Sequence, residues 1–246
     1  MIFNKKSSSP AATSKATVEK SRGQYSLEYT QIAIRKIVAQ IDSSDIKDLT
    51  EEDTCNRFIL PFFQAFGWNP VLSHWCSQFR IENSSQRVDY AFSKRGKGWA
   101  YIEAKRINFK NIDKNKNFVK QVSGYFNAAK NAHLIILTNG EEYCFYSYGE
   151  NTEISATPFI KFNIRNINLT GNAKPLSRLF YNQFNIGDWP QLAEKSRALA
   201  DIKYSLRNAP DSLTKQNNIE RSFALLYPDM DVSQRKELID FFNLFG

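Results

Sequence analysis

Two short runs of alternating polar and apolar residues, RVDYAFS at 87–93 and WAYIEAK at 99–105, flank the polar linker Lys94-Arg95-Gly96-Lys97-Gly98. Alternation of this length marks half-buried strands, and a short Gly-containing linker joins two of them as a hairpin. A hairpin symmetric about Gly96 places Asp89 directly opposite Glu103, with Cβ atoms about 4.5–5.5 Å apart. One face then carries Val88, Tyr90 and Phe92 against Ala100, Ile102 and Ala104, which is a core face. The other carries Arg87, Asp89, Glu103 and Lys105. Two carboxylates facing each other repel, and a divalent cation relieves that repulsion. Mg²⁺ suits such a pair, because it takes one or two carboxylates and completes its shell with water and phosphate. The plain alternative is a salt-bridged sheet surface.

Asp89 followed by Glu103-Ala104-Lys105 is a D…ExK pattern, which resembles the PD-(D/E)xK nuclease superfamily. Its surroundings resemble the N-terminal nuclease domain of the motor subunit of type I restriction enzymes. The matching pieces are Glu51-Glu52-Asp53-Thr54, Phe58-Ile59-Leu60-Pro61, Gly67-Trp68, RVDYAF, YIEAKR, Gln121-Val122-Ser123-Gly124-Tyr125 and LTNG with its aromatic strand. Together they span residues 45–150, and Val88 replaces the superfamily's Pro before the first Asp. The resemblance implies an α/β (α+β) restriction-endonuclease-like core, a mainly four- to five-stranded mixed sheet flanked by helices. It implies Asp89 and Glu103 as metal ligands joined by the Ala104 carbonyl, with Mg²⁺ as cofactor and Mn²⁺ as a substitute. It also implies that Gln121 and Tyr125, four apart on one helix face, border the site and contact DNA or orient the catalytic groups. Glu51 matches a helix glutamate that the family carries near the metal; an acid there also simply complements the helix dipole. Both readings of Glu51 stand. Lys105 projects to the same face as Glu103. There a cation orients or helps deprotonate the attacking water and offsets developing charge.

Charge supports an anionic partner. Residues 94–130 hold ten basic residues (Lys94, Arg95, Lys97, Lys105, Arg106, Lys110, Lys114, Lys116, Lys120 and Lys130) against Glu103 and Asp113, so this segment carries the whole protein's net charge of +8. Such a cluster is either a solvated face or a phosphate-binding surface. Beside a phosphodiester site the second reading predicts DNA contacts from Arg87, Arg106, Lys110, Lys114, Lys116 and Lys120.

Along the chain, residues 1–24 are rich in Ser, Ala and Lys and predict a disordered arm. Residues 25–172 form the expected nuclease domain. Leu27, Ile34, Ile37, Val38 and Ile41 predict an amphipathic helix. A second helix starts at Thr50, an N-cap with Asp53 three residues on, and carries Phe58, Ile59, Phe62, Phe63 and Phe66. Pro61 should kink it and Gly67 should stop it. A strand over 71–81 precedes the hairpin, and a helix over 114–131 follows it. The apolar run 133–138 predicts a buried central strand, Asn139-Gly140 a tight turn, 141–147 its partner, and 158–164 an edge strand. Residues 173–246 predict a helical C-terminal extension over 176–184, 190–206, 213–226 and 232–245.

The expected function is a Mg²⁺-dependent DNA endonuclease of restriction type, free-standing or the cutting component of an assembly. The alternatives are a repair or structure-specific nuclease, and a non-catalytic DNA-binding module that keeps the fold. The expected partners are DNA, with a homodimer or specificity and motor subunits. No G-x-x-x-x-G-K-[ST] stretch is present, so no ATP site is expected. No apolar run approaches the roughly 18–20 residues that span a bilayer. Cys55, Cys76 and Cys144 are odd in number and widely spaced, and His74 and His133 are too distant for a zinc site, which fits a reducing, cytoplasmic setting.

Overall fold

The structure, a computed structural model, describes residues 26–72, 74–82, 84–93, 99–129, 132–147, 157–169, 174–208 and 211–236. The expected arm at 1–24, the hairpin linker with Lys94, Arg95 and Lys97, Lys130, and the end of the last expected helix lie outside the described residues. Six strands form one sheet: β1 (Trp75–Arg80), β2 (Arg87–Phe92), β3 (Trp99–Ala104), β4 (Ala132–Thr138), β5 (Glu142–Tyr146) and β6 (Ile160–Asn163). They lie side by side in chain order, and every neighbouring pair is antiparallel except β3 and β4. A parallel pair needs a crossover, supplied by the helix Lys116–Ala128. This is the mixed sheet with flanking helices of a restriction-endonuclease-like α+β fold, with six strands where four to five were expected.

Helix α1 (Leu27–Ser43) buries Thr30, Ile34, Ile37 and Ile41, a stripe at helical spacing, and Ser26 caps it. Helix α2 runs through Glu51–Thr54, a π-helical turn Cys55–Ile59, and Leu60–Ala65. Thr50 caps it as expected: its hydroxyl accepts the Asp53 N–H at 3.0 Å while the Asp53 carboxylate accepts the Thr50 N–H at 3.1 Å. The irregularity expected from Pro61 takes the form of the π turn just before it. Widening that turn accommodates the proline ring and its missing N–H without ending the helix. Gly67, at φ 89°, closes the helix.

The sheet separates two cores. On one side α1, α2 and residues 176–189 pack Phe58, Phe62, Phe63, Trp68, Phe180, Phe184 and Trp189 against Phe92, Ala100, Ile102, Ala104, Leu134 and Ile136. Each fully buried Phe contributes about 1.5–3 kcal/mol. On the other side α3 (Lys116–Ala128) lays Val122, Tyr125 and Phe126 on Ala91, Tyr101, Ile135 and Leu137. In β3 and β4 the chain is buried on both faces, as central strands must be. The turn between β4 and β5 needs its glycine. Gly140 has φ 82°, and a Cβ there would stand 2.9 Å from the Cβ of Phe58.

Three expectations are corrected. Strand β1 starts at Trp75, because residues 71 and 72 lie in a turn with Val71 88% exposed. Residues Lys174–Leu179 form a 3-10 segment rather than an α-helix. Val88 does not share the core face of Tyr90 and Phe92; it packs on the α3 side with Ile81 and Ala91. The side-chain alternation therefore reverses near Asp89. Helices α4 (Asp188–Asn208) and α5 (Ser212–Leu226) pair around Ile202, Ile219 and Phe223. No described helix is long and apolar enough to cross a membrane, and Cys55, Cys76 and Cys144 are not joined in disulfides.

Candidate active site

Strands β2 and β3 pair Tyr90 with Ile102, Ala91 with Tyr101 and Phe92 with Ala100, the register symmetric about Gly96. One step further puts Asp89 level with Glu103, and here the ladder gives way. The Asp89 side chain accepts the Ala104 N–H at Oδ2, 2.8 Å away. Its Oδ1 accepts from the carboxamide of Gln78 at 3.3 Å. The half-buried carboxylate of Asp89 is thus tied to both neighbouring strands.

Glu103 is 3% exposed. Its Oε1 accepts a short hydrogen bond from Lys105 Nζ, and its Oε2 accepts the Tyr125 hydroxyl at 2.7 Å. The Tyr125 oxygen in turn accepts from Gln121 Nε2 at 2.6 Å. The Gln-x-x-x-Tyr spacing on α3 therefore delivers a continuous chain, Gln121 to Tyr125 to Glu103 to Lys105. Burial, and next the Asp89 charge, push the Glu103 carboxyl up to about 7, against the pull of Lys105 and of the Tyr125 hydrogen bond. Burial and Glu103 likewise push the Tyr125 hydroxyl well above its ordinary range. Lys105 is 8% exposed, and its ammonium stands 5.2 Å over the ring of Phe118.

Glu51, in the first turn of α2, faces the same charges. Partial burial raises its carboxyl, Lys105 and Arg106 counter that, and Asp89 reinforces it. Glu51, Glu52, Cys55, Ser77, Gln78, Asp89 and Tyr90 line one cleft of about 470 Å³. Burial pushes the Cys55 thiol up to about 11, although its hydrogen bond with Tyr90 works the other way. Among the described residues no three His, Cys, Asp or Glu side chains form a ready-made metal cage. A Mg²⁺ shell needs only one or two carboxylates, with water and phosphate completing it.

The expected DNA-binding residues divide. Lys114, Lys116 and Lys120 are exposed on and before α3. Lys110 is ion-paired to Glu141 at 2.7 Å. Arg106 donates to the carbonyls of Leu49 and Lys47 at 3.1 and 3.5 Å, tying down the loop before α2. Arg87 is exposed, and its guanidinium donates to the Gln78 carbonyl at 3.0 Å. Sequence reasoning missed Gln78, Phe118 and the Cys55–Tyr90 contact. Phe118 is one turn before Val122 on the α3 stripe and reads only as core. Gln78 carries no signal in the one-letter code.

No protein-family model matches the chain, and no curated protein sequence matches it. Among solved structures, the type IIG restriction endonuclease BpuSI is similar at 15% identity and a TM-score of 0.29, over 68% of this chain and 26% of that one. The chain thus spans about a quarter of that enzyme's length.

Proposed function

We propose that the protein is a divalent-metal-dependent DNA endonuclease of restriction type, working alone or as the cutting component of an assembly. The observation that carries this reading is the Asp89–Glu103 pair. A buried carboxyl, pushed up by burial and by the second carboxylate beside it, has a lysine and a tyrosine already on its oxygens. Groups whose environments perturb them in this way cluster at functional sites.

The donor set fits a hard cation: Asp89, Glu103 and Glu51 carboxylates with the Ala104 carbonyl would hold it. Mg²⁺, with Mn²⁺ as a substitute, would supply charge neutralisation on the scissile phosphate and acidify a water there. The chain's own residues do the rest. Tyr125, oriented by Gln121, fixes the rotation of the Glu103 carboxylate. Lys105, held between Glu103 and the Phe118 face, presents an ammonium to the attacking water and to the charge that develops on the phosphate. Lys114, Lys116 and Lys120 offer contacts to the phosphate backbone.

The test is cleavage of supercoiled, linear, methylated and branched DNA with and without Mg²⁺ or Mn²⁺. Cutting is expected only with a metal, and Asp89→Ala is expected to abolish it while leaving the fold intact. Wild-type rates in Asp89→Ala, or in excess chelator, would sink the reading.

A further inference from the structure

Gln78 lies in the middle of β1, between residues that pair in step with β2: Ser77 with Tyr90 and Phe79 with Val88. The same register sets Gln78 opposite Asp89. Its backbone is nevertheless left-handed, with φ 49°. A residue with a side chain rarely takes that conformation in a strand, and it persists only where the surroundings hold it.

Two contacts hold Gln78. The Arg87 guanidinium donates to its carbonyl, and its own carboxamide donates to Asp89 Oδ1. The left-handed residue also explains the reversed alternation. Trp75 lies in the core on the α2 side, whereas Phe79 packs on the α3 side with Trp99 and Tyr101. Val88 crosses with Phe79. Glycine would take this backbone without steric cost, so conformation alone does not call for glutamine. A glutamine adds the one thing glycine lacks, a donor aimed at Asp89.

We propose that Gln78 is a positioning residue for Asp89, a role that rests on the nuclease reading above. Its strained backbone delivers the carboxamide to Oδ1 while the Ala104 N–H holds Oδ2, so the carboxylate cannot rotate. Each oxygen keeps a further lone-pair site with which to meet a divalent cation. Outer groups that orient a metal ligand typically govern about 10–100-fold of metal affinity or activity.

The experiment is Gln78→Gly, which tolerates the left-handed backbone and removes the side chain with its carboxamide. Its melting temperature is expected to equal or exceed that of the wild type. Mg²⁺ affinity by calorimetry, and the Mg²⁺ midpoint for DNA cleavage, are expected to weaken about 10–100-fold. The KM for DNA should stay unchanged, and saturating Mg²⁺ should recover most of the rate. A rate loss at an unchanged Mg²⁺ midpoint overturns the proposal and makes Gln78 a structural residue. No change in either quantity overturns it equally. Wild-type protein that neither binds Mg²⁺ nor cuts DNA is a different result, because it overturns the nuclease reading itself.

Discussion

Glu103 and Glu141 are two glutamates of nearly equal burial, 3% and 7% exposed, and each is ion-paired to a lysine. Their carboxyls move in opposite directions. Burial drives Glu103 up to about 7, with Asp89 adding to it. Burial also works to raise Glu141, but hydrogen bonds from Lys110, Asn163 and Arg165 outweigh it and hold that carboxyl at about 2. Glu141 meets three donors at 2.7, 3.0 and 2.9 Å, and Arg165 continues to Asp42 on α1. Its charge is fully answered, and the cluster ties the β4–β5 turn to α1, β6 and the loop after β3. Glu103 has one cation, one hydroxyl and a neighbouring carboxylate. Glu141 reads as structure, and the charge of Glu103, left short of a cation, is what the proposed site rests on.

The largest expected effect is on catalysis. Lys105→Ala should slow cleavage about 10²–10³-fold, the usual loss for one positioned electrostatic group. Mg²⁺ binding should persist or tighten, since a positive charge leaves its vicinity. Lys110→Ala, the matching change at Glu141, should leave the rate per folded molecule near wild type. Calorimetry with Mg²⁺ and cleavage assays check both. Loss of metal binding in Lys105→Ala would mean that Lys105 only holds Glu103 in place.

Folding stability should show the reverse order. Glu141→Ala strands Lys110 and Arg165, which keep some access to water, and should cost about 2 kcal/mol. Glu103→Gln takes the carboxylate from Lys105, but it also removes a charge that Asp89 repels and keeps an oxygen for the lysine to donate to, so at pH 8 it should cost less. Urea unfolding in chelator separates the two. Equal losses would erase the distinction between them.

The pH dependence sharpens the same contrast. Glu103 has a folded value above its ordinary 4.5, so the folded state binds more protons between pH 4.5 and 7. Its contribution to stability should therefore fall as pH rises through that window in metal-free protein. Glu141 has a folded value below 4.5, so it contributes stability above that pH and loses it as pH falls toward 2. Glu103→Gln should flatten the neutral side of the curve, and Glu141→Gln the acid side.

Much of this site is legible in the sequence. The register symmetric about Gly96, which sets Asp89 level with Glu103, is the register found, although the expected sorting of faces fails at Val88. The Thr50–Asp53 spacing fixes where α2 begins, and Gln121 and Tyr125 meet because they are four apart on a helix. What was not legible depends on contacts between distant parts of the chain. The left-handed turn at Gln78 has no local signal, and the side swap of Val88 follows from it. Lys110 reads as one basic residue among ten, because Glu141, its partner, stands 31 residues away. The charge cluster in the sequence is therefore smaller as a surface.

That correction yields the smallest effect. Lys110 and Arg106 are engaged within the protein, whereas Lys114, Lys116 and Lys120 are exposed and make no ion pair among the described residues. DNA affinity falls with salt because each neutralised phosphate releases counterions, at about 0.9 in the log–log slope per contact. Neutralising Lys114, Lys116 and Lys120 together should lower that slope by roughly 2–3, if each meets one phosphate. Lys110→Gln should leave the slope unchanged and instead lower stability, because Glu141 loses a donor. Binding measured in Ca²⁺ from low to moderate salt tests both variants. A slope that drops in Lys110→Gln as much as per lysine in the triple variant would mean that DNA competes with Glu141 for this lysine. An unchanged slope in the triple variant would move the DNA-binding surface off α3.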